Sequence, residues 1–267
     1  MLQLDNYSAI EQLFITLAMV MPRLLGCFSV VPFFSRKMLT GIVIRNGFFV
    51  SMSLVLIPMH YKILQGVDAL PYSMAILILA KELFLGVVMG LLVSIPFWAV
   101  ESVGFFIDNQ RGATLASTLN PLSGDQTSPL GILLEQAVVV LFFISGTVFI
   151  FFKMLYMSYV HWPVLDLSLN LDLERAIYFL DQLDFLMMVT VVLSGPIVLG
   201  MFISEFSFAL VNRFTPALNV FILSMPIKSA VSLALMVMYI NLFFYYLGEN
   251  TKTMEMIFLE MHEVFFG

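Results

Sequence analysis

Residues 104–131 read GFFIDNQRGATLASTLNPLSGDQTSPLG. The stretch is polar, rich in Gly, Ser, Thr and Asn, and set between two long apolar runs. It is too long for a tight connection between helices and too small in its side chains for a packed core. Polar work in the middle of the chain falls here, and the runs on either side decide the fold.

Working outward, apolar runs lie at 74–100 and 131–160, then at 9–34, 47–58, 183–211 and 217–247. They are long, rich in Leu, Met, Phe, Ile and Val, and lack an alternation of period two, so they read as helices. A membrane span needs about 20 apolar residues. The run at 47–58 falls short of that, and 9–34 is interrupted by Pro22-Arg23 and Pro32. Further breaks are expected at Pro58, Pro96, Pro196, Pro216 and Pro226, since proline removes a helix hydrogen bond. The expected architecture is all-α: hydrophobic helical hairpins with broken helices, in a single domain over residues 1–267.

Composition fixes the class. The 267 residues are 61% hydrophobic and only 11% charged, with mean hydropathy +1.00. Soluble domains are about 45–50% apolar and about 25% charged. This much apolar surface needs lipid or other apolar subunits to cover it. The net charge of −6 and the lack of a basic block give no nucleic-acid partner. Cys27, the lone cysteine, has no partner for an internal disulfide. The opening MLQLDNYSAIEQ carries Asp5 and Glu11 and no early Lys or Arg, so a cleavable signal peptide is not expected and the first apolar run is retained.

Lys and Arg do not decide a topology. With six spans, Lys62, Lys153, Arg175 and Lys252 fall on one side, and Arg36, Lys37, Arg45, Arg111 and Arg213 on the other. Four against five gives no orientation under the positive-inside rule. Either the span count is wrong or the helices are not a standard bilayer bundle.

Arg23, Lys81-Glu82, Glu135, Glu205 and Lys228 lie inside apolar runs. A charge at the bilayer centre costs about 2.5–3.5 kcal/mol on insertion scales, so each needs a partner or water. One reading is an ion or proton pathway; the plainer one is pairing between helices or subunits, with snorkelling near helix ends. Lys81 and Glu82 are adjacent, about 100° apart on a helix, and are not expected to face one partner. Gly86, Gly90 and Ser94 form a small-residue stripe suited to a close helix approach.

Enzyme motifs are missing. His60, His161 and His262 are far apart, and no HExxH, GxSxG or Walker A pattern occurs. Asp108 and Asp125 have no nearby His or Lys to complete an acid–base set. No enzyme activity, metal or cofactor is expected. Within the central segment, Phe105-Phe106-Ile107 ends a helix, Asp108 to Arg111 is polar, and Gly112 breaks the run. Ala113 to Leu119 is small and Thr/Ser-rich, while Asn120-Pro121, Ser123-Gly124-Asp125 and Ser128-Pro129 are turn signals. Such a segment can line a cavity or move as a plug; it can equally be an ordinary loop outside the membrane.

KELFLGVVMG at 81–90, GFFIDNQRG at 104–112, NPLSGDQTSPLG at 120–131 and NRFTPALNVFILSMPIK at 212–228 resemble the FliR/SctT family, the export-gate subunits of flagella and type III secretion injectisomes. PRLLGCFSVVPFF at 22–34 fits the family's opening helix more loosely, and NPLSGDQTSPLG is closer to the injectisome branch. The resemblance covers essentially the whole chain. It implies a core subunit of the export apparatus, part of the gated pore that passes unfolded proteins across the bacterial inner membrane. Implied partners are SctR/FliP-like and SctS/FliQ-like gate subunits, an SctU/FlhB-like switch protein, the exported unfolded proteins and membrane lipid. In that family the assembled helices sit largely out of the bilayer plane.

The resemblance also makes residues 106–124 a pore plug, with Phe106, Asp108, Gln110, Gly112, Ala113, Leu115, Ser117, Asn120, Pro121, Ser123 and Gly124 in it. Arg213, Pro216, Asn219, Pro226 and Lys228 become contacts between helices or subunits, beside Arg23, Lys81, Glu82, Gly86 and Gly90. The competing reading is a self-sufficient small-solute transporter, suggested by broken helices and embedded charges. The acidic end, Glu249 to Glu263, reads as an amphipathic docking helix or as a solvated tail.

Overall fold

The computed structural model describes the backbone of residues 2–34, 42–61, 71–113, 128–167, 173–214 and 220–266, and side chains over 10–34, 43–61, 71–113, 128–167, 177–214 and 223–246. Seven α-helices and no strand occur among the described residues: α1 Leu2–Val30, α2 Ile42–His60, α3 Tyr72–Arg111, α4 Pro129–Ile144, α5 Thr147–His161, α6 Leu173–Phe214 and α7 Val220–Phe266. A short 3-10 turn at Pro32–Phe34 follows α1.

Over their described residues the six apolar runs are mainly helical. Five stretches are long and apolar enough to cross a membrane: Ile10–Val30, Val43–His60, Tyr72–Arg111, Ile177–Phe214 and Leu223–Tyr246. The run at 47–58 reaches span length because its helix extends beyond the apolar residues at both ends. The expected proline breaks are corrected. Pro22, Pro58, Pro96, Pro196 and Pro226 all lie inside continuous helices, and Pro216 is outside the described residues. One lost ladder bond does not end a helix whose flanks are held by packing, as around buried Pro96.

The break falls instead within the run 131–160, where α4 and α5 meet at 78°. Gly146 there has φ 78°, a conformation glycine adopts without strain. Ser145 and Thr147 hydroxyls bond each other at 2.8 Å across the bend.

Helix length bears on topology. Helices α3, α6 and α7 contain 40, 42 and 47 residues. At about 1.5 Å per residue they run about 60–70 Å, roughly twice the hydrocarbon thickness of about 30 Å. Each is longer than a single crossing needs.

The chain forms two compact units, each assembled from separate segments. One comprises Met1–Ser94, Phe149–Ile177 and Phe258–Gly267; the other comprises Ile95–Val148 and Tyr178–Ile257. In the first, Phe28 stacks on Phe49 (centroids 5.2 Å apart) and meets Phe34 edge-on at 4.5 Å. Helices α1 and α3 approach there to backbone contact. A Cβ at Gly86 would collide with the Arg23 carbonyl, and one at Gly90 would lie 2.6 Å from the Cys27 oxygen. In the second unit, Phe97 of α3 packs on Phe142 of α4 at 5.3 Å, and Thr190 of α6 donates to the Ala99 carbonyl at 3.4 Å. Helices α6 and α7 leave large apolar side chains bare, among them Met188 at 65%, Phe202 at 57% and Met238 at 81% exposure. Such a surface calls for lipid or apolar subunits.

Candidate functional site

The two ends of the central polar segment are held by one carboxylate. Asp108 sits in the last turn of α3 and is fully buried. Its Oδ2 accepts from Ser128 Oγ at 2.7 Å and from the Leu130 N–H at 3.0 Å. Its Oδ1 faces Arg111 Nη2 at 2.7 Å, an ion pair rather than an aligned hydrogen bond.

Sequence explains the local fold. Ser128 caps α4: its backbone is extended and its Oγ accepts from the Gly131 N–H at 2.9 Å, with Pro129 at the first helical turn. That is the favoured start of a helix. Carboxylates are stabilised at helix N-termini, so Asp108 finds its natural place beside Leu130. On the other side, Gly112 takes φ 84° and its N–H bonds the Asn109 carbonyl at 3.1 Å, which stops α3. The two helix ends can meet because Gly104 and Gly131 face each other: a Cβ on Gly104 would collide with the Gly131 backbone.

In the other unit, more charge is buried. Arg23 of α1 and Glu82 of α3 are both fully buried. Arg23 Nε donates to Glu82 Oε2 at 2.8 Å and Nη2 to Glu82 Oε1 at 2.8 Å, a bidentate pair. The guanidinium also donates to Ser158 Oγ at 3.0 Å and to the Trp162 carbonyl at 2.8 Å, and lies over the Tyr159 ring 4.1 Å from its centroid. Lys81 joins them. Its Nζ is 2.8 Å from Glu82 Oε1 and donates to the carbonyls of Pro163, Val164 and Asp166 at 3.0, 3.0 and 2.8 Å. Lys81 and Glu82 thus reach different partners, the 163–166 carbonyls and Arg23, and in addition pair with each other. Their Cβ atoms diverge, but the four-carbon lysine stem carries its ammonium back to Glu82. Both cations also donate to carbonyls just beyond the end of α5.

The remaining residues singled out in the sequence fall as follows. Phe106 is exposed, Gln110 and Ala113 are half-buried, and Gly112 forms the stop of α3. Leu115, Ser117, Asn120, Pro121, Ser123 and Gly124 lie outside the described residues, as do Pro216 and Asn219. Arg213 and Pro226 are exposed. Lys228 of α7 is buried and meets Glu205 of α6 at 3.3 Å. Sequence reasoning missed Ser128, Gly131, Ser158 and the 162–166 carbonyls. Only Ser128 had a signal, a Ser-Pro pair directly before an apolar run. Among the described residues no three His, Cys, Asp or Glu side chains gather to hold a metal ion. The polar groups hold helices and a segment in place.

The family model described as bacterial export proteins, family 1, matches residues 14–254. The chain is 39% identical over 231 residues to the Yop proteins translocation protein T of Yersinia pestis, covering 86% of this chain and 87% of that one. It is 31% identical over 246 residues to the secretion system apparatus protein SsaT of Salmonella typhimurium, covering 91% and 94%. The flagellar biosynthetic protein FliR of Bacillus subtilis is 24% identical over 239 residues, covering 89% and 90%. With the family model spanning most of the chain and the secretion proteins standing nearer than the flagellar one, the chain belongs to the FliR/SctT family of bacterial export proteins, and to its SctT side.

Proposed function

We propose that this chain is a core subunit of a type III secretion export apparatus and forms part of the gated pore through which unfolded proteins cross the bacterial inner membrane. Family membership gives the coarse role, a component of a protein-export apparatus. The observation that carries the finer one is the neck at Asp108: a buried carboxylate holds both ends of a small-residue segment on long apolar helices. A segment fastened at its ends and made of small polar residues seals by packing and yields at modest cost, which is what a gate between substrates needs. On this reading residues 106–124 are the plug.

The partners are SctR/FliP-like and SctS/FliQ-like gate subunits, with an SctU/FlhB-like switch protein at the cytoplasmic entrance. The bare apolar faces of α6 and α7 and the length of α3, α6 and α7 support assembly into a complex partly raised toward the periplasm. The sequence carries no nucleotide-binding motif, so driving energy comes from elsewhere in the machine.

Co-expression of the tagged chain with the two small gate subunits, read by native mass spectrometry, tests the assembly. A defined hetero-oligomer is expected; a monodisperse chain that ignores both points to the transporter reading. Deletion of Ala113–Ser117 tests the plug. The assembled gate is expected to leak ions, and unchanged conductance overturns the assignment.

A further inference from the structure

The ammonium of Lys81 sits among four oxygens: Glu82 Oε1 and Asp166 O at 2.8 Å, and Pro163 O and Val164 O at 3.0 Å. Its three protons match the three carbonyls, and Glu82 Oε1 adds an ion pair. With the lysine side chain taken away, the ring of four oxygens would still converge on one point. Three of the four are backbone carbonyls, the groups that replace an ion's hydration shell in cation-selective sites. We propose that this ring is a monovalent-cation cage, filled in this chain by its own lysine, and that potassium or ammonium takes the place when the side chain is removed.

Size and charge select the ligand class. Calcium takes oxygens at about 2.3–2.6 Å and magnesium at about 2.0–2.1 Å, closer than this ring stands. The cluster already holds two cations, Arg23 and Lys81, against one carboxylate, and both oxygens of Glu82 are engaged by Arg23. A divalent ion in place of the ammonium adds a further uncompensated charge at a site where Glu82 is fully buried, whereas a monovalent ion leaves the count unchanged. The cation fixes the turn: Asp166 N–H closes on the Pro163 carbonyl at 3.1 Å, and the carbonyls of Pro163, Val164 and Asp166 converge on Nζ. The inference is independent of the export reading.

The test is thermal unfolding of the full-length Lys81→Ala chain in detergent, in choline, potassium, ammonium and magnesium chlorides at equal ionic strength. In choline the midpoint is expected to fall by several degrees from wild type. Potassium or ammonium restores most of the fall, magnesium does not, and wild type is the same in all four. Lys81→Met, whose apolar stem fills the approach without supplying charge, is expected to fall and to ignore the salt. No fall in Lys81→Ala, an equal fall in every salt, or an equal response in Lys81→Met overturns the proposal. Lys81→Arg decides the matter where Lys81→Ala does not accumulate. Its planar fork keeps the charge but does not fit a ring built for a point charge, so wild-type stability in Lys81→Arg overturns the cage.

Discussion

The cluster around Arg23 and the neck at Asp108 both bury charge, and they bury it in different ways. Around Arg23, two cations and one carboxylate from α1 and α3 meet, and their hydrogen bonds tie those helices to each other, to Ser158 of α5 and to the carbonyls just after it. At Asp108, a single carboxylate pairs with an arginine three residues away that keeps 17% of its side chain in solvent. Its longer-range contacts are one hydroxyl and one backbone N–H. Removing one partner of a buried pair costs far more than the pair itself contributes, because a charge is left with nothing to offset it. The first arrangement is thus a fastening that does not open without losing the unit around it. The second holds a segment's ends with a few neutral-donor bonds, a strength suited to a part that is displaced and recovered.

Glu82→Gln should give the largest effect. It leaves Arg23 and Lys81 buried with no carboxylate, and a cost of about 3–5 kcal/mol is expected. The readout is the unfolding midpoint in detergent, or the amount of chain recovered from membranes. Adding Arg23→Met should recover part of the loss, since the second substitution removes one of the two uncompensated cations; coupled sites are non-additive in this way. A Glu82→Gln chain as stable as wild type would erase the distinction between the two regions.

The neck should give an intermediate effect, and a local one. Asp108→Asn keeps the shape of the side chain while removing the Arg111 ion pair and weakening the acceptor for Ser128 and Leu130. A cost of about 1–3 kcal/mol is expected for a buried hydrogen-bonding group left imperfectly paired. Hydrogen exchange at the Leu130 and Gly131 amides reads it directly, because both N–H groups end on this network. Faster exchange there, with amides of α1 unchanged, is the expected pattern. Uniformly faster exchange would mean that the neck, too, holds up the whole fold.

The two regions also differ in how far the sequence disclosed them. The all-helical class followed from long apolar runs, and each run is mainly helical over its described residues. Ser128-Pro129 reads as a turn, and it caps α4 instead. Arg23 and Glu82 stood out as charges in apolar runs, but their partnership spans 59 residues and no local spacing encodes it. Lys81 and Glu82 were set apart by Cβ direction alone, which neglects how far a lysine reaches. Prolines misled in the opposite sense: a missing N–H is a local fact, and the rest of the hydrogen-bond ladder carries the helix past it, with packing to help at buried Pro96. The true break, Ser145-Gly146, was two small residues inside a hydrophobic stretch, where left-handed backbone is affordable only to glycine.

The smallest effect on the chain should come from Lys228, and for that reason it separates two roles most cleanly. Its partner Glu205 keeps 43% of its side chain exposed and the contact is 3.3 Å, longer than any pair in the Arg23 cluster. Water screens such a pair, and exposed ion pairs contribute about 0–1 kcal/mol. Lys228→Ala should therefore leave the unfolding midpoint of the isolated chain within a degree or two of wild type. The Lys228 side chain is itself only 8% exposed and meets α6 at Glu205. On the export-gate reading the yield of hetero-oligomer with the two small subunits falls while the chain alone is unchanged. A normal yield with lost secretion would move Lys228 from assembly to transport. A large fall in the stability of the isolated chain would place it with Arg23, as a fastening of the fold.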